Sequence, residues 1–344
     1  MKIVLCAGGT GGHLFPVIAL FDAFKQKGHD VSIVTDKRGA HYCEHLEEKE
    51  IIPTTRFSLR HIALSVIKSI KIGISFAAKW YKNSPDVFVG FGGIATIVPA
   101  LIAKLYGAKV VIYEQNAIVG RANRCLSNFA DFRMSTFALG NDWKVQAAPV
   151  RKEFLESSAY SVGEAINILV IGGSQGAKSF ASIIPEALKG LTKEEKNRIF
   201  ITQQESYRAD DLKETYEKIG IKCDIREFID DVASIMNKCQ LVICRSGAST
   251  LAELSAIGRP AILIPYPFAA DNHQWLNAKR YEQRNAAWII EEEKNAVVRL
   301  KSLLSNILRR QELLTGAASN IINSSLKHAA EDFVRLIEKL GDEE

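Results

Sequence analysis

Twice in this chain a short apolar run of the kind that forms a strand ends in a cluster of glycines and passes at once into a helical pattern. The first run is Lys2–Cys6, followed by Gly8-Gly9-Thr10-Gly11-Gly12-His13. The second is Ile166–Ile171, followed by Gly172-Gly173-Ser174-Gln175-Gly176-Ala177. Glycine lets a backbone turn tightly and come close to a ligand. The helix behind it offers N–H groups without intrahelical partners and a partial positive end, which together suit a phosphate or a polar sugar. In open parallel sheets, ligands bind beyond the C-terminal strand ends, where both clusters fall.

The intervening pattern supports two such units. Leu14–Lys27 reads as a helix ended by Gly28. Val31–Thr35, Asp86–Val89, Lys109–Tyr113 and Asp131–Met134 read as strands with helical stretches between them. In the second half a helix is expected over about Ala177–Leu188, and strands over Arg198–Thr202, Lys222–Arg226, Leu241–Cys244 and Ala261–Pro265. This βαβ rhythm implies α/β domains with parallel sheets covered on both faces. The length of 344 residues exceeds what one core usually spans. The boundary is expected between Pro149 and Ala165, giving domains over residues 1–150 and 164–325. A last helix near Leu326–Leu340, within residues 326–344, is expected to cross back onto the first domain.

Composition narrows the function classes. The net charge of +5 fits an acidic surface or a phosphate-bearing ligand. No Lys/Arg run or nucleic-acid-binding signature accompanies it, so no nucleic-acid partner is expected. None of the six cysteines forms a C-x-x-C pair, so they read as free thiols of a reducing compartment. Met1 leads directly into a strand without a signal-peptide pattern, and no run approaches the roughly 18 apolar residues of a membrane span. An intracellular protein is the expectation.

Neither glycine cluster follows the G-x-G-x-x-G spacing of redox dinucleotide folds, and no Gly-Lys-Ser/Thr of a P-loop is present in them. A plain tight turn would explain either cluster alone; their repetition, with a third at Gly90-Phe91-Gly92-Gly93, favours a ligand-binding edge. Cys244-Arg245-Ser246-Gly247-Ala248-Ser249-Thr250 is another strand-to-helix junction, with Glu253 in the helix behind it. A carboxylate there can accept two hydrogen bonds from a ribose diol, or simply serve as a charge near a helix N-terminus. Pro265-Tyr266-Pro267 leads through Asp271-Asn272-His273-Gln274 into a helix; Gln274 suits a ribose or phosphate contact, and His273 suits a structural hydrogen bond.

Taken in order, Gly8–His13, Glu114-Gln115-Asn116, Pro149-Val150-Arg151, Gly172–Ala177, Glu227-Phe228-Ile229-Asp230-Asp231, Cys244–Ala248 and Asp271–Gln274 resemble the MurG family of bacterial peptidoglycan enzymes. The resemblance covers nearly the whole chain. It implies an α/β GT-B fold, with two Rossmann-like domains facing a central cleft. It further implies UDP-N-acetylglucosamine as donor, the undecaprenyl-linked lipid I as acceptor and lipid II as product, with inversion to a β-1,4 bond. By resemblance, Thr10, Gly11, Gly12, Asn116, Arg151, Ser174, Ile229 and Gln274 contact the donor. So does the stretch Ala248, Ser249, Thr250, Leu251, Ala252 and Glu253, with Glu253 on the ribose.

Four positions depart from the family pattern. Tyr113 stands where His is common, Ile94 where Tyr is usual, and Ala148 where Asn precedes Pro-Val-Arg. Thr202-Gln203-Gln204-Glu205 replaces a His-Gln-Ser/Thr-Gly pattern. The first two bear on the acceptor side, the last on a donor-side loop.

Transfer requires that the acceptor hydroxyl lose a proton and that the leaving diphosphate be stabilised. His13 is the candidate base, since neutral imidazole titrates near working pH; capping or orienting the loop is its alternative role. Backbone N–H groups at Ser174–Ala177, with Arg151, suit the diphosphate. There is no Asp-x-Asp, so no protein metal site or cofactor is expected, and a divalent cation from solution would at most assist. Arg56–Lys82 carries Arg56, Arg60, Lys68, Lys71, Lys79 and Lys82 without an acidic residue, interleaved with Leu64, Val66, Ile67, Ile70, Ile72, Ile74, Phe76 and Trp80. Such a segment can lie on an anionic bilayer or pack as an ordinary helix; a polyprenyl acceptor favours the bilayer, and thus a peripheral position on the cytoplasmic face of the cell membrane. A different lipid-acceptor transferase, such as a diacylglycerol glycosyltransferase, a non-hydrolysing sugar-nucleotide epimerase and an inactive UDP-sugar-binding protein are the competing readings.

Overall fold

The computed structural model describes residues 1–9, 11–44, 46–53, 62–156, 158–173 and 177–342. The chain divides into two compact units, Met1–Arg151 with Ser325–Glu344, and Lys152–Ser324.

The first unit runs β1 (Lys2–Ala7), α1 (Gly11–Gln26), β2 (Asp30–Asp36), β3 (Lys49–Ile52), α2 (Ile62–Trp80), β4 (Val87–Gly90), α3 (Ile97–Leu105), β5 (Lys109–Glu114), α4 (Arg121–Leu126), β6 (Phe132–Ser135) and β7 (Lys144–Val145). Its strands form a parallel seven-stranded sheet in the order β3-β2-β1-β4-β5-β6-β7. Side chains alternate across the pleat. Ile3, Leu5 and Ala7 therefore join one core with Leu14, Val17, Phe21 and Phe24 of α1, while Val4 and Cys6 join another with Ile72, Phe76 and Trp80 of α2.

The second unit runs β8 (Ile166–Ile171), α5 (Phe180–Lys189), α6 (Lys193–Asn197), β9 (Ile199–Gln204), α7 (Ala209–Lys218), β10 (Lys222–Arg226), α8 (Val232–Lys238), β11 (Leu241–Cys244), α9 (Ala248–Ile257), β12 (Ala261–Leu263), α10 (His273–Glu282), β13 (Ala287–Ile289), α11 (Ala296–Arg309) and α12 (Glu312–Ile321). The six strands are parallel, in the order β10-β9-β8-β11-β12-β13. One core cluster takes Ile168 and Val170 of β8 with Ile184 and Leu188 of α5, Tyr216 of α7 and Leu300 and Leu304 of α11.

The chain then returns to the first unit as α13 (Ala329–Asp342). Phe333, Val334 and Ile337 are buried in the α1-side core. Phe333 stacks on Phe91 at 6.1 Å between ring centroids and meets Tyr113 edge-on at 5.4 Å. His29 Nε2 lies 2.9 Å from Glu338 Oε1, tying the helix to the turn that enters β2.

Two expected helix starts are corrected. The first helix opens at Gly11 and not at Leu14, so Gly11, Gly12 and His13 are its first turn. Packing against the sheet overrides the poor helix propensity of glycine. In the second unit the helix begins at Phe180 and not near Ala177.

Candidate functional site

In the first unit the C-terminal ends of β1, β4 and β5 converge. Gly8 N–H donates to the Gly92 carbonyl at 3.2 Å, and Phe91 N–H to the Cys6 carbonyl at 2.8 Å. A Cβ on Gly93 would stand 3.0 Å from the Gly8 Cα, and Gly93 has φ +83°, so backbone passes over backbone where only glycine fits. His13 lies against this crossing: a Cβ on Gly92 would be 3.7 Å from its Cε1 and 3.6 Å from Asn123 Nδ2.

The β5 exit is organised by Glu114, which is 2% exposed. Its Oε1 accepts from the Asn116 N–H and from Asn116 Nδ2, both at 3.0 Å. Its Oε2 accepts from the Gly120 N–H and from Asn123 Nδ2, both at 2.9 Å. The carboxylate thus fixes the predicted donor contact Asn116 in place. Tyr113, one residue earlier, points to the opposite face. It is fully buried against Phe91 and Phe333, its hydroxyl 2.8 Å from Thr136 Oγ1, and burial pushes its phenol well above the usual range. The departure at Tyr113 therefore alters packing beneath the sheet. Ala148 is buried too, whereas Ile94 is more than a third exposed beside the glycine crossing. Arg151 stacks on the Phe15 ring of α1 at 4.3 Å.

In the second unit the predicted positions again fall at strand exits. Ala248–Glu253 form the first six residues of α9, with Glu253 6% exposed. Gln274 is the second residue of α10; its Oε1 accepts from the Tyr266 N–H at 2.9 Å, which orients the amide and directs its N–H₂ donors. Ser246 Oγ donates to the Gln274 carbonyl at 2.7 Å, joining the α9 and α10 starts. His273 Nδ1 bonds the Ala270 carbonyl at 2.7 Å, so His273 closes a turn in which Asp271 and Asn272 both adopt positive φ, a strained arrangement for non-glycine residues. Ile229 is buried after β10. The departing segment reaches the same strand exit, since Gln204 Nε2 and Ser206 Oγ both donate to the Glu227 carbonyl. Within it, Gln203 is buried and accepts from the Tyr216 hydroxyl at 2.6 Å, a packing role. Thr10 and Ser174 lie outside the described residues.

Sequence reasoning overlooked the residue that holds this edge together. Arg245, 8% exposed, donates through Nη1 to the Ile264 and Pro265 carbonyls and to Glu292 Oε2 at 2.6 Å, and through Nη2 to Ser179 Oγ at 3.1 Å. Its guanidinium lies between the Phe180 and Tyr266 rings, 4.7 and 5.4 Å from their centroids. Among the described residues no group of three or more His, Cys, Asp or Glu is placed to hold a metal ion.

Two parallel α/β units with glycine-lined strand exits are those of a GT-B fold, and the family models make the chain a glycosyltransferase. The Glycosyltransferase family 28 N-terminal domain matches residues 3–134 and the Glycosyltransferase family 28 C-terminal domain residues 167–333. The chain is 35% identical to the UDP-N-acetylglucosamine--N-acetylmuramyl-(pentapeptide) pyrophosphoryl-undecaprenol N-acetylglucosamine transferase of Agrobacterium fabrum, covering 99% of this chain and 94% of that one. It is 32% identical to the enzyme of the same name from Wolbachia pipientis subsp. Culex pipiens, covering 98% of each. The crystal structure of Acinetobacter baumannii MurG superposes with a TM-score of 0.83 at 27% identity, covering 98% of this chain and 100% of that one. The chain belongs to the MurG family within glycosyltransferase family 28.

Proposed function

We propose that this chain transfers N-acetylglucosamine from UDP-N-acetylglucosamine to the 4-hydroxyl of the N-acetylmuramoyl-pentapeptide of lipid I, with inversion, giving lipid II. The observation that carries this reading is the end-to-end match to relatives that bear the name of that one transfer. The second unit's strand exits take the nucleotide: Ile229 at the base, Glu253 at the ribose, Gln274 at the sugar or phosphate, with Ser174 and the N–H groups of its loop at the diphosphate. Thr10, Gly11, Gly12, Asn116 and Arg151 supply the first unit's share of donor contacts. His13, in the first turn of α1 and against Gly92, takes the proton of the attacking hydroxyl. No protein-held metal enters this scheme; a divalent cation would arrive with the diphosphate.

Reaching the acceptor's lipid calls for a peripheral position on the cytoplasmic face of the cell membrane, and the exposed surface of α2 supports that reading. The predicted basic segment has two faces. Of its interleaved apolar residues, Ile72, Phe76 and Trp80 form the inward stripe and lie in the core. Val66, Ile67, Ile70 and Ile74 form an exposed row, Ile70 and Ile74 being 55% and 64% exposed, with Lys68 and Lys71 interspersed. Leu101 and Leu105 of α3, which packs beside α2, are exposed as well. Lys79 pairs with Glu50 and is thereby partly neutralised. Arg56 and Arg60 lie outside the described residues. No described helix is long and apolar enough to cross a membrane. A surface of this kind binds by shallow insertion with electrostatic help.

Radiolabelled transfer from UDP-N-acetylglucosamine to lipid I tests the function: lipid II is expected, and binding of the UDP-sugar without turnover by folded protein overturns it. His13→Ala is expected to lower kcat by about 10²–10⁴-fold; a loss under about tenfold removes His13 as the base. In co-sedimentation with anionic vesicles, Ile70→Glu combined with Ile74→Glu is expected to abolish binding, and unchanged binding rejects the α2 surface.

A further inference from the structure

Beside the first glycine cluster sits a cation that neither the motifs nor the family resemblance brought forward. Asp36 ends β2 and is buried. Its Oδ1 accepts from the backbone N–H groups of Arg38 (2.9 Å) and Gly39 (3.3 Å), bending the chain back at the sheet edge. Its Oδ2 accepts from Arg38 Nε at 3.2 Å and Nη2 at 2.7 Å. The guanidinium is thus gripped along one edge and lies flat over Gly9. A Cβ on Gly9 would meet Nη2 at 3.3 Å, Cζ at 3.7 Å and Nη1 at 3.9 Å. With φ +93° a side chain on Gly9 would be strained, and its Cβ would press on the arginine.

One edge of the fork is occupied and one face covers Gly9, yet the Arg38 side chain remains 45% exposed. What it presents is the Nη1 edge, fixed in position at the entrance to α1, whose first turn has no acidic residue. A surface arginine held only for charge balance would be free to move; this one has lost its rotamer freedom in advance, which favours recognition of a ligand. A planar fork of N–H donors suits phosphate oxygens.

We infer that Arg38, clamped by Asp36 over Gly9, is a binding residue for the diphosphate of the lipid-linked acceptor. The inference rests on the proposed transfer to lipid I. In it, Asp36 is a positioning residue that acts through Arg38, and the sugar's hydroxyl is carried toward His13 by anchoring the phosphates one glycine turn away.

The test compares wild type, Arg38→Lys and Arg38→Gln in steady-state transfer to a short-chain lipid I analogue, with inorganic pyrophosphate as a competing probe. Arg38→Gln is expected to raise the acceptor KM by roughly 10–100-fold, as expected for losing a charge-assisted contact, while the KM for UDP-N-acetylglucosamine stays within about twofold. Arg38→Lys, which keeps the charge and loses the fork, should fall between. Pyrophosphate should inhibit wild type competitively with the acceptor and inhibit Arg38→Gln at least about tenfold more weakly. An unchanged acceptor KM, or an equal rise in both KM values as from a collapsed loop, overturns the inference. If wild type itself makes no lipid II, the functional reading fails and not the role of Arg38 alone.

Discussion

The β5 exit of the first unit and the β11 exit of the second are each held by one buried charge, and the two charges have opposite sign. Glu114 gathers donors: the N–H groups of Asn116 and Gly120 and the amides of Asn116 and Asn123. Arg245 gathers acceptors: two backbone carbonyls, Ser179 Oγ and Glu292. The consequences for a ligand differ. At the guanidinium-organised edge the Ile264 and Pro265 carbonyls are engaged, and the starts of α9 and α10, whose N-terminal ends suit an anion, are joined there. An edge organised around a carboxylate commits N–H groups to the protein and holds the Asn116 amide in one orientation. A buried charge is costly unless fully paired, so both arrangements persist only because every partner is in place.

The strongest way to break this comparison is Arg245→Met, which leaves Glu292 facing the site unpaired. We expect the second unit to lose about 3–5 kcal/mol, with most of it recovered in Arg245→Met with Glu292→Met. Because two units need not unfold together, the loss is read by hydrogen exchange in residues 152–324; a cost below about 1 kcal/mol would mean that Arg245 does not organise its edge. Glu114→Gln should cost the first unit about 1–3 kcal/mol, since an amide N–H₂ is set against donors, and should lower turnover through Asn116. Gly93→Ala tests the backbone crossing in the same unit; the positive φ and the 3.0 Å approach to Gly8 predict about 1–2 kcal/mol. The finest discrimination comes from thiol labelling. Burial pushes the Cys6, Cys43 and Cys244 thiols up, and that of Cys239 to about 12, so exposed Cys125 should label first and these buried four only on opening. Arg245→Met should then speed labelling of Cys244 and leave Cys6 unchanged.

Much of the fold was legible because the apolar runs are bounded by glycine and by charge. Ile166–Ile171, Lys222–Arg226 and Leu241–Cys244 are strands over the predicted residues. Three strands escaped notice for physical reasons. Lys49–Ile52 begins with two charged residues, Lys144–Val145 is a two-residue exposed edge, and Ala287–Ile289 is too short to show a period. At the sites, the sequence named Asn116 and Gln274 but could not show what orients them. Glu114 and the Tyr266 N–H do so through contacts that become visible only once the exits are folded. The role of Arg245 is invisible in the Cys244–Ala248 motif, because its partners Ser179 and Glu292 are 66 and 47 residues away in the chain. Arg38 left no signal at all: a lysine–arginine pair after a strand reads as a solvated turn until Gly9 is found beneath it.

Hydrogen exchange with saturating UDP tests most directly the division between a guanidinium-organised edge that takes the nucleotide and a carboxylate-organised edge that does not. Amides at residues 226–232, 245–254 and 265–275 of the second unit should gain protection, with residues 114–123 of the first little changed. Protection confined to residues 1–151, with the Arg245-organised edge unaffected, would contradict it.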